Sequence, residues 1–280
     1  MTKFHLHLVS DATGDTLLSL AAAALVQFEG AEPVRHMWTM VRSEALMYPV
    51  ISAIEKNPGL VMFTMVDHNL RELLREKCRR LQVPCVPVLD PILGALENFL
   101  GAESRELPGQ QHVMDADYFG RIDAIHFSLR HDDGQAVDGF HRADVILVGI
   151  SRTSKTPTCM YLANRGLKAA NIPLVPGIPL PDDLPHLDDV LIVGLTASPD
   201  RLVQIRRNRL KYLKQGEDTD YVDIQAVKEE VVNARCMFDR NGWPQIDVTR
   251  RSIEETAAAI IGLHTQRLEE KTEVYPRPGS

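Results

Sequence analysis

Lysine and threonine stand side by side at Lys155-Thr156, reached from Gly149 through Ile150-Ser151-Arg152-Thr153-Ser154, which is the spacing of a loop that holds nucleotide phosphates. In the pattern G-x-x-x-x-G-K-[ST], backbone N–H groups cradle the phosphates, the lysine reaches the terminal ones and the hydroxyl meets Mg²⁺. Gly149, Lys155 and Thr156 fit the pattern, and Ser154 replaces its second glycine. A residue with a Cβ takes up positive φ only at a cost, so Ser154 leaves the loop's shape open. The competing reading is an ordinary strand-to-helix turn capped by serine and threonine. Context favours the phosphate loop. Asp144–Ile150 is a β-branched run suited to a central parallel strand, and Pro157 falls in the first helical turn, where a missing N–H costs nothing. Gly149, Ile150, Ser151, Arg152, Thr153, Ser154, Lys155 and Thr156 are therefore the candidate nucleotide-binding residues. Among them Lys155 is the candidate for neutralising phosphoryl charge and Thr156 the candidate metal ligand.

Other residues compete for roles. Ser10-Asp11-Ala12-Thr13-Gly14-Asp15-Thr16 follows the first strand, at the sheet end where open α/β folds place ligands. The segment offers amides for a partner's phosphate and Asp11 as a base, or simply an Asp/Thr-capped helix start with no ligand. Arg201, Arg206, Arg207, Arg209 and Lys211 crowd one helix. Helical spacing lets two or three of these arginines converge on a phosphate, although a charge run on a helix is usually a solvated face. Arg250-Arg251 precede Ser252 at a helix start, where positive charge is unfavourable unless an anion is bound; the bland alternative is an exposed pair. With Arg152 they are candidates for clamping a second phosphate. His5 and His7 share one face of a strand but lack further ligands at useful spacing, so packing explains them better than a metal does. Asp132-Asp133-Gly134 could hold Mg²⁺ through water, but reads first as a turn.

Alternating elements must position these groups. The first hundred residues read βαβαβαβα, with strands at Phe4–Val9, Val34–Met40, Leu60–Val66 and Cys85–Leu89, and helices at Thr16–Phe28, Glu44–Lys56, Leu70–Leu81 and Ile92–Leu100. That order predicts a parallel sheet with helices on both faces, an N-terminal α/β domain over residues 1–100. Residues 101–114 lose periodicity and read as a linker. A second α/β domain follows over 115–272, with a helix at Asp117–Leu129, the phosphate-loop strand, and a helix running from Pro157 to Ala170 that Asn171-Ile172-Pro173 ends before a short strand at Leu174–Val175. Next come a strand at Val190–Leu195, a helix opened by Ser198-Pro199-Asp200 and another at Ile224–Phe238. A strand at Ile246–Thr249 then leads to a capping box, Ser252-Ile253-Glu254-Glu255, opening a helix at Thr256–Leu268. A phosphate loop followed by a final strand and capped helix looks like nucleoside and shikimate-type kinases, an analogy of fold that does not fix chemistry. Residues 273–280 read as a disordered tail.

A net charge of −7 over 280 residues disfavours a protein whose main business is coating nucleic acid or an anionic membrane. No apolar run reaches the roughly 18 residues that span a bilayer, and the N-terminus opens directly into a strand, so a cytoplasmic location is expected. Cys78, Cys85, Cys159 and Cys236 are widely spaced without a C-x-x-C pair, and read as buried reduced thiols.

The chain resembles the pyruvate, phosphate dikinase regulatory proteins, bifunctional serine/threonine kinases and phosphorylases. The likeness rests on Gly149 to Thr158, on Ser10-Asp11-Ala12-Thr13-Gly14 and His131-Asp132-Asp133-Gly134, on Gly194-Leu195-Thr196 with Arg201-Leu202 and Ile205-Arg206, and on the run Ile246 to Ala257. It implies an enzyme that phosphorylates a threonine of the dikinase with ADP as donor, inactivating it. The same enzyme would remove that phosphate by attack of inorganic phosphate, releasing pyrophosphate. It further implies that Gly149 to Thr156 bind ADP. The related phosphoenolpyruvate synthase regulators read R-C-G-K-T-P where this chain has Arg152-Thr153-Ser154-Lys155-Thr156-Pro157, which favours the dikinase branch. Lys155, Arg152 and Asp11 are the catalytic candidates, Asp11 as base, with Mg²⁺ expected at Thr156 and a homodimer as the expected assembly. The rivals are the same chemistry on the synthase, a noncatalytic nucleotide sensor, and a small-molecule kinase of the shikimate type.

Overall fold

The computed structural model describes residues 2–105, 107, 116–212 and 220–274. The chain divides into two compact α/β units, Met1–Val113 and Met114–Ser280. Residues 106 and 108–114 of the expected linker, residue 115 at the start of the expected second domain, and 275–280 of the expected tail lie outside the described residues.

The first unit runs β1 (Thr2–Ser10), α1 (Asp15–Leu25), β2 (Ala31–Trp38), α2 (Glu44–Lys56), β3 (Gly59–Thr64), α3 (His68–Arg80), β4 (Cys85–Pro87) and α4 (Asp90–Leu100). All pairings are parallel, in the order β2-β1-β3-β4. Side chains alternate across β1 with the pleat. Leu6 and Leu8 pack on Leu17 and Ala21 of α1, while Val9 joins Phe63, the α2 residues Val50 and Ile54, and the α3 residues Leu70 and Leu74. Ser43 and Asp67 cap α2 and α3 by accepting the amides of Leu46 and Leu70. The start of α1 departs from the sequence reading. Its N-cap is Gly14 in the left-handed region, with no side-chain cap, and Asp15 is helical and accepts the Thr13 hydroxyl at 2.7 Å.

The second unit runs α5 (Ala116–Arg130), β5 (Val145–Ile150), α6 (Lys155–Asn164), β6 (Ala169–Leu174), β7 (Leu191–Thr196), α7 (Pro199–Tyr212), α8 (Ile224–Arg240), β8 (Gln245–Asp247) and α9 (Ile253–Val274). Its sheet is also parallel, in the order β6-β5-β7-β8. β5 and β7 are buried along their whole length, as central strands covered on both faces must be. One face carries Leu202 of α7 and Val227, Val231 and Phe238 of α8; the other carries Leu162 of α6 and Ala257 and Ile260 of α9. The Ser252–Glu255 capping box forms reciprocally, at 2.7 and 3.1 Å.

Three expectations are corrected. The helix after the loop ends at Asn164, not Ala170, and Gly166 at φ 86 turns the chain so that Ala169–Leu174 becomes β6. Its alanines have helix propensity, but burial against β5 decides, and Pro173 is tolerated because β6 is an edge strand. α9 continues through Val274, so the first residues assigned to the tail are helical. Cys236 is exposed rather than buried. No helix among the described residues is long and apolar enough to cross a membrane.

Candidate functional site

β5 sits between β6 and β7, so the chain leaves its carboxyl end at the point where strand order reverses, the place where open α/β sheets bind ligands. Gly149 is required by close packing there: a Cβ would lie 2.6 Å from the Leu195 carbonyl oxygen and 2.9 Å from Thr153 Oγ1. The loop from Ser151 to Ser154 then carries two non-glycine residues in the left-handed region, Arg152 at φ 74 and Ser154 at φ 59. The loop feeds directly into the N-terminus of α6, whose free N–H groups favour an anion.

The lysine is folded back over this loop. Lys155 Nζ donates to the Ile150 carbonyl at 3.1 Å, and Thr153 Oγ1 donates to the same oxygen at 2.9 Å. Both side chains are buried. Burial lowers the Lys155 ammonium to a pKa of about 8, with Asp133 and Asp132 opposing the shift. Thr156 Oγ1 donates to Asp132 Oδ1 at 2.8 Å. Asp132 is held in turn by Asn171 Nδ2, and the Asp133 amide donates to Asn171 Oδ1 at 3.2 Å. Asn171, read from sequence as a helix terminator, is instead a buried β6 residue that fixes the Asp132-Asp133 turn beside the loop.

A second network holds the loop from its other side. Arg206 is fully buried and makes paired bonds to Glu230 at 2.7 and 3.1 Å. It also donates to the carbonyls of Tyr221 (3.1 Å) and Ser151 (3.4 Å), with its guanidinium 4.6 Å from the centre of the Tyr221 ring. The Tyr221 hydroxyl shares a 3.2 Å hydrogen bond with Ser151 Oγ and accepts from Arg152 Nε at 3.2 Å. Burial pushes the phenol's pKa up, but these bonds and the charges of Arg152 and Arg206 outweigh it, leaving Tyr221 below its ordinary value. Of the arginine-rich helix, then, Arg206 braces the loop from behind. Tyr221 and Glu230 had no signal in the sequence, because each is distant along the chain from its partner.

The remaining candidates take no part in these two networks. Arg250 and Arg251 are exposed after β8, two strand spacings or roughly 10 Å from β5. Asp11 belongs to the first unit. There its carboxylate is buried and accepts the Val66 amide at 2.9 Å, and Arg42 Nε donates to its carbonyl. Burial raises its pKa, against the opposing effects of the Val66 amide and Arg42. His5 and His7 pack with His36 of β2: His5 Nδ1 lies 2.9 Å from His36 Nε2, and the His7 and His36 rings stack at 4.5 Å. Among the described residues no group of three or more His, Cys, Asp or Glu has an arrangement able to hold a metal.

Residues 6–261 match a protein family described as kinase/pyrophosphorylase. The chain belongs to that family. Relatives extend over nearly its whole length. A protein of Paramagnetospirillum magneticum is 56% identical over 99% of this chain and 90% of its own, one of Caulobacter vibrioides 52% over 94% and 83%, and one of Erythrobacter litoralis 54% over 95% and 96%. All three are named pyruvate, phosphate dikinase regulatory protein. This kinase/pyrophosphorylase is thus a phosphotransferase-type enzyme, and its buried Lys155 stands at the N-terminus of α6.

Proposed function

We propose that the protein regulates pyruvate, phosphate dikinase by phosphorylating one of its threonines with ADP and by removing that phosphate with inorganic phosphate. The names of its relatives supply the target. The observation that carries the chemistry is the buried Lys155 ammonium folded over a loop with left-handed residues at Arg152 and Ser154. Phosphoryl transfer asks a protein mainly for alignment and charge stabilisation.

In the forward reaction the threonine hydroxyl oxygen attacks the β-phosphorus of ADP and loses its proton to solvent, the bond to the bridging oxygen breaks and AMP leaves. In the other, an inorganic phosphate oxygen attacks phosphothreonine, the threonine oxygen leaves and takes a proton, and pyrophosphate forms. Lys155 neutralises the transferred group in both, and the loop amides from Ser151 to Thr156 hold the neighbouring oxygens. Thr156 and its hydrogen-bond partner Asp132 are the residues that would hold a Mg²⁺ ion. That ion would supply charge neutralisation on the phosphate oxygens. Arg152, in the same loop, shares in clamping.

The test is to present purified dikinase with β-labelled ADP and, separately, phosphorylated dikinase with phosphate. Lys155→Ala is expected to lower both rates by about 10²–10³, the scale of losing one group that stabilises transferring charge. Either activity remaining near wild type in that variant would rule out a shared site. Inhibition of the dikinase without phosphothreonine would instead identify a sensor that acts by binding alone.

A further inference from the structure

Beside the phosphate loop lies a cavity of about 640 Å³, whose floor is the paired strand ends Ile150 and Leu174. One wall is α8, whose Ala226, Glu230, Asn233 and Met237 recur at helical spacing on the face turned to the cavity, while Val227, Val231, Ala234 and Phe238 enter the core. The rim is the turn Val175–Ile178, closed by the Ile178 amide on the Val175 carbonyl at 3.0 Å, with Gly177 at φ 78. Tyr221 forms the junction: it lines the cavity, and its hydroxyl bonds Ser151 and Arg152 of the loop.

We infer that this cavity is the nucleoside subsite, receiving the base and ribose of the donor nucleoside diphosphate whose phosphates occupy the Gly149–Thr156 loop. The inference rests on the phosphate-loop reading above and deepens it. Charge fixes the orientation. The cavity presents carboxylates at Glu229 and Glu230, which repel phosphate, whereas Lys155 and the α6 N-terminus attract it. The floor offers flat apolar contact to a ring from Ile150, Leu174 and Met237, and its volume falls within the range of small-molecule pockets. Glu230 is committed to Arg206, so Glu229 and the neighbouring Asn233 are the groups placed to accept and donate to ribose hydroxyls. The same acidic wall makes the cavity a poor seat for a phosphorylated peptide.

Calorimetric titration of the full-length protein with ADP and with pyrophosphate tests this, comparing wild type, Ala226→Phe, Asn233→Trp and Lys155→Ala. Both cavity-filling variants are expected to bind ADP about tenfold or more weakly and pyrophosphate within about twofold of wild type, because pyrophosphate has no nucleoside to displace. Lys155→Ala is expected to weaken both ligands. Wild-type ADP affinity in both cavity variants overturns the inference, and so does an equal loss for pyrophosphate, which would show that they disturb the loop. Unchanged affinity for both ligands in Lys155→Ala rejects the phosphate-loop reading instead, independently of the cavity result. Asn233 is exposed, so Asn233→Trp keeps the comparison available should Ala226→Phe fail to fold.

Discussion

Lys155 is a cation held where burial disfavours charge. A pKa of about 8, against 10.5 for a free lysine, makes the protonated form cost about 3 kcal/mol at neutral pH in the absence of an anion. A phosphate beside it restores the charged form, so binding above pH 8 takes up a proton. ADP or pyrophosphate affinity should therefore fall as pH rises through about 8, and calorimetry at pH 8.5 in buffers of different ionisation heat should show proton uptake. Stability moves the other way in that range. The unfolded chain binds more protons between pH 8 and 10.5, so the ligand-free protein gains stability there as pH rises. No uptake in the wild type would place the anion elsewhere. Ser154 holds a different tension: it stands at φ 59 without a cap bond, where a side chain costs about 1–2 kcal/mol. Ser154→Gly relieves that strain but adds freedom to the unfolded chain, so stability should change by no more than about 1 kcal/mol and ADP affinity should survive. A large affinity loss in Ser154→Gly would instead mean that the serine hydroxyl makes a required contact.

The elements around the loop are tied together by few, deeply buried polar contacts. Arg206 of α7 reaches Glu230 of α8 and the Ser151 carbonyl at once, so Glu230→Ala leaves a buried guanidinium without its counter-charge. Chemical denaturation should show a loss of about 3–5 kcal/mol for that variant, and an effect below about 1 kcal/mol would show that Arg206 can re-pair with water. In the first unit His7 of β1 is fully buried, bonded to the Asn57 carbonyl at 2.9 Å and stacked on His36. Burial lowers its pKa, with His36 and His5 adding to the shift against the Asn57 bond. Protonation thus favours the unfolded chain, and stability is lost as pH falls below about 6.5. Thermal unfolding between pH 7.5 and 5 should show that loss, and His7→Leu should flatten it. Sequence pattern located these elements because alternation and caps are local: α2 is read to its ends, and the Ser252–Glu255 box forms as written. It failed at β6, where pairing with β5 overrides the preference of two alanines, and it left Tyr221, Glu230 and Asn171 unread because their partners are reached only through the fold.

The two units share a strand order, yet their equivalent loops differ in charge. After β1 the chain presents Asp11 and Asp15, which disfavour an anion; after β5 it presents Arg152 and Lys155, which attract one. In the proposed function both phosphoryl reactions use the loop of the second unit, so one site would serve two co-substrates. In the forward reaction the group that leaves from the transferred phosphoryl is the α-phosphate of AMP; in the other, the group that attacks it is inorganic phosphate. In-line transfer requires each to sit on the same side of the phosphorus, so inorganic phosphate should occupy the α-phosphate position in the Gly149–Thr156 loop. AMP should then inhibit dephosphorylation competitively against phosphate, and substitutions at Lys155 or Thr156 should weaken use of ADP and of phosphate in parallel. Initial rates over a grid of phosphate and AMP concentrations decide the matter: lines converging at a common maximal rate support one site, whereas inhibition that phosphate cannot relieve, or a phosphate KM indifferent to the loop variants, requires two.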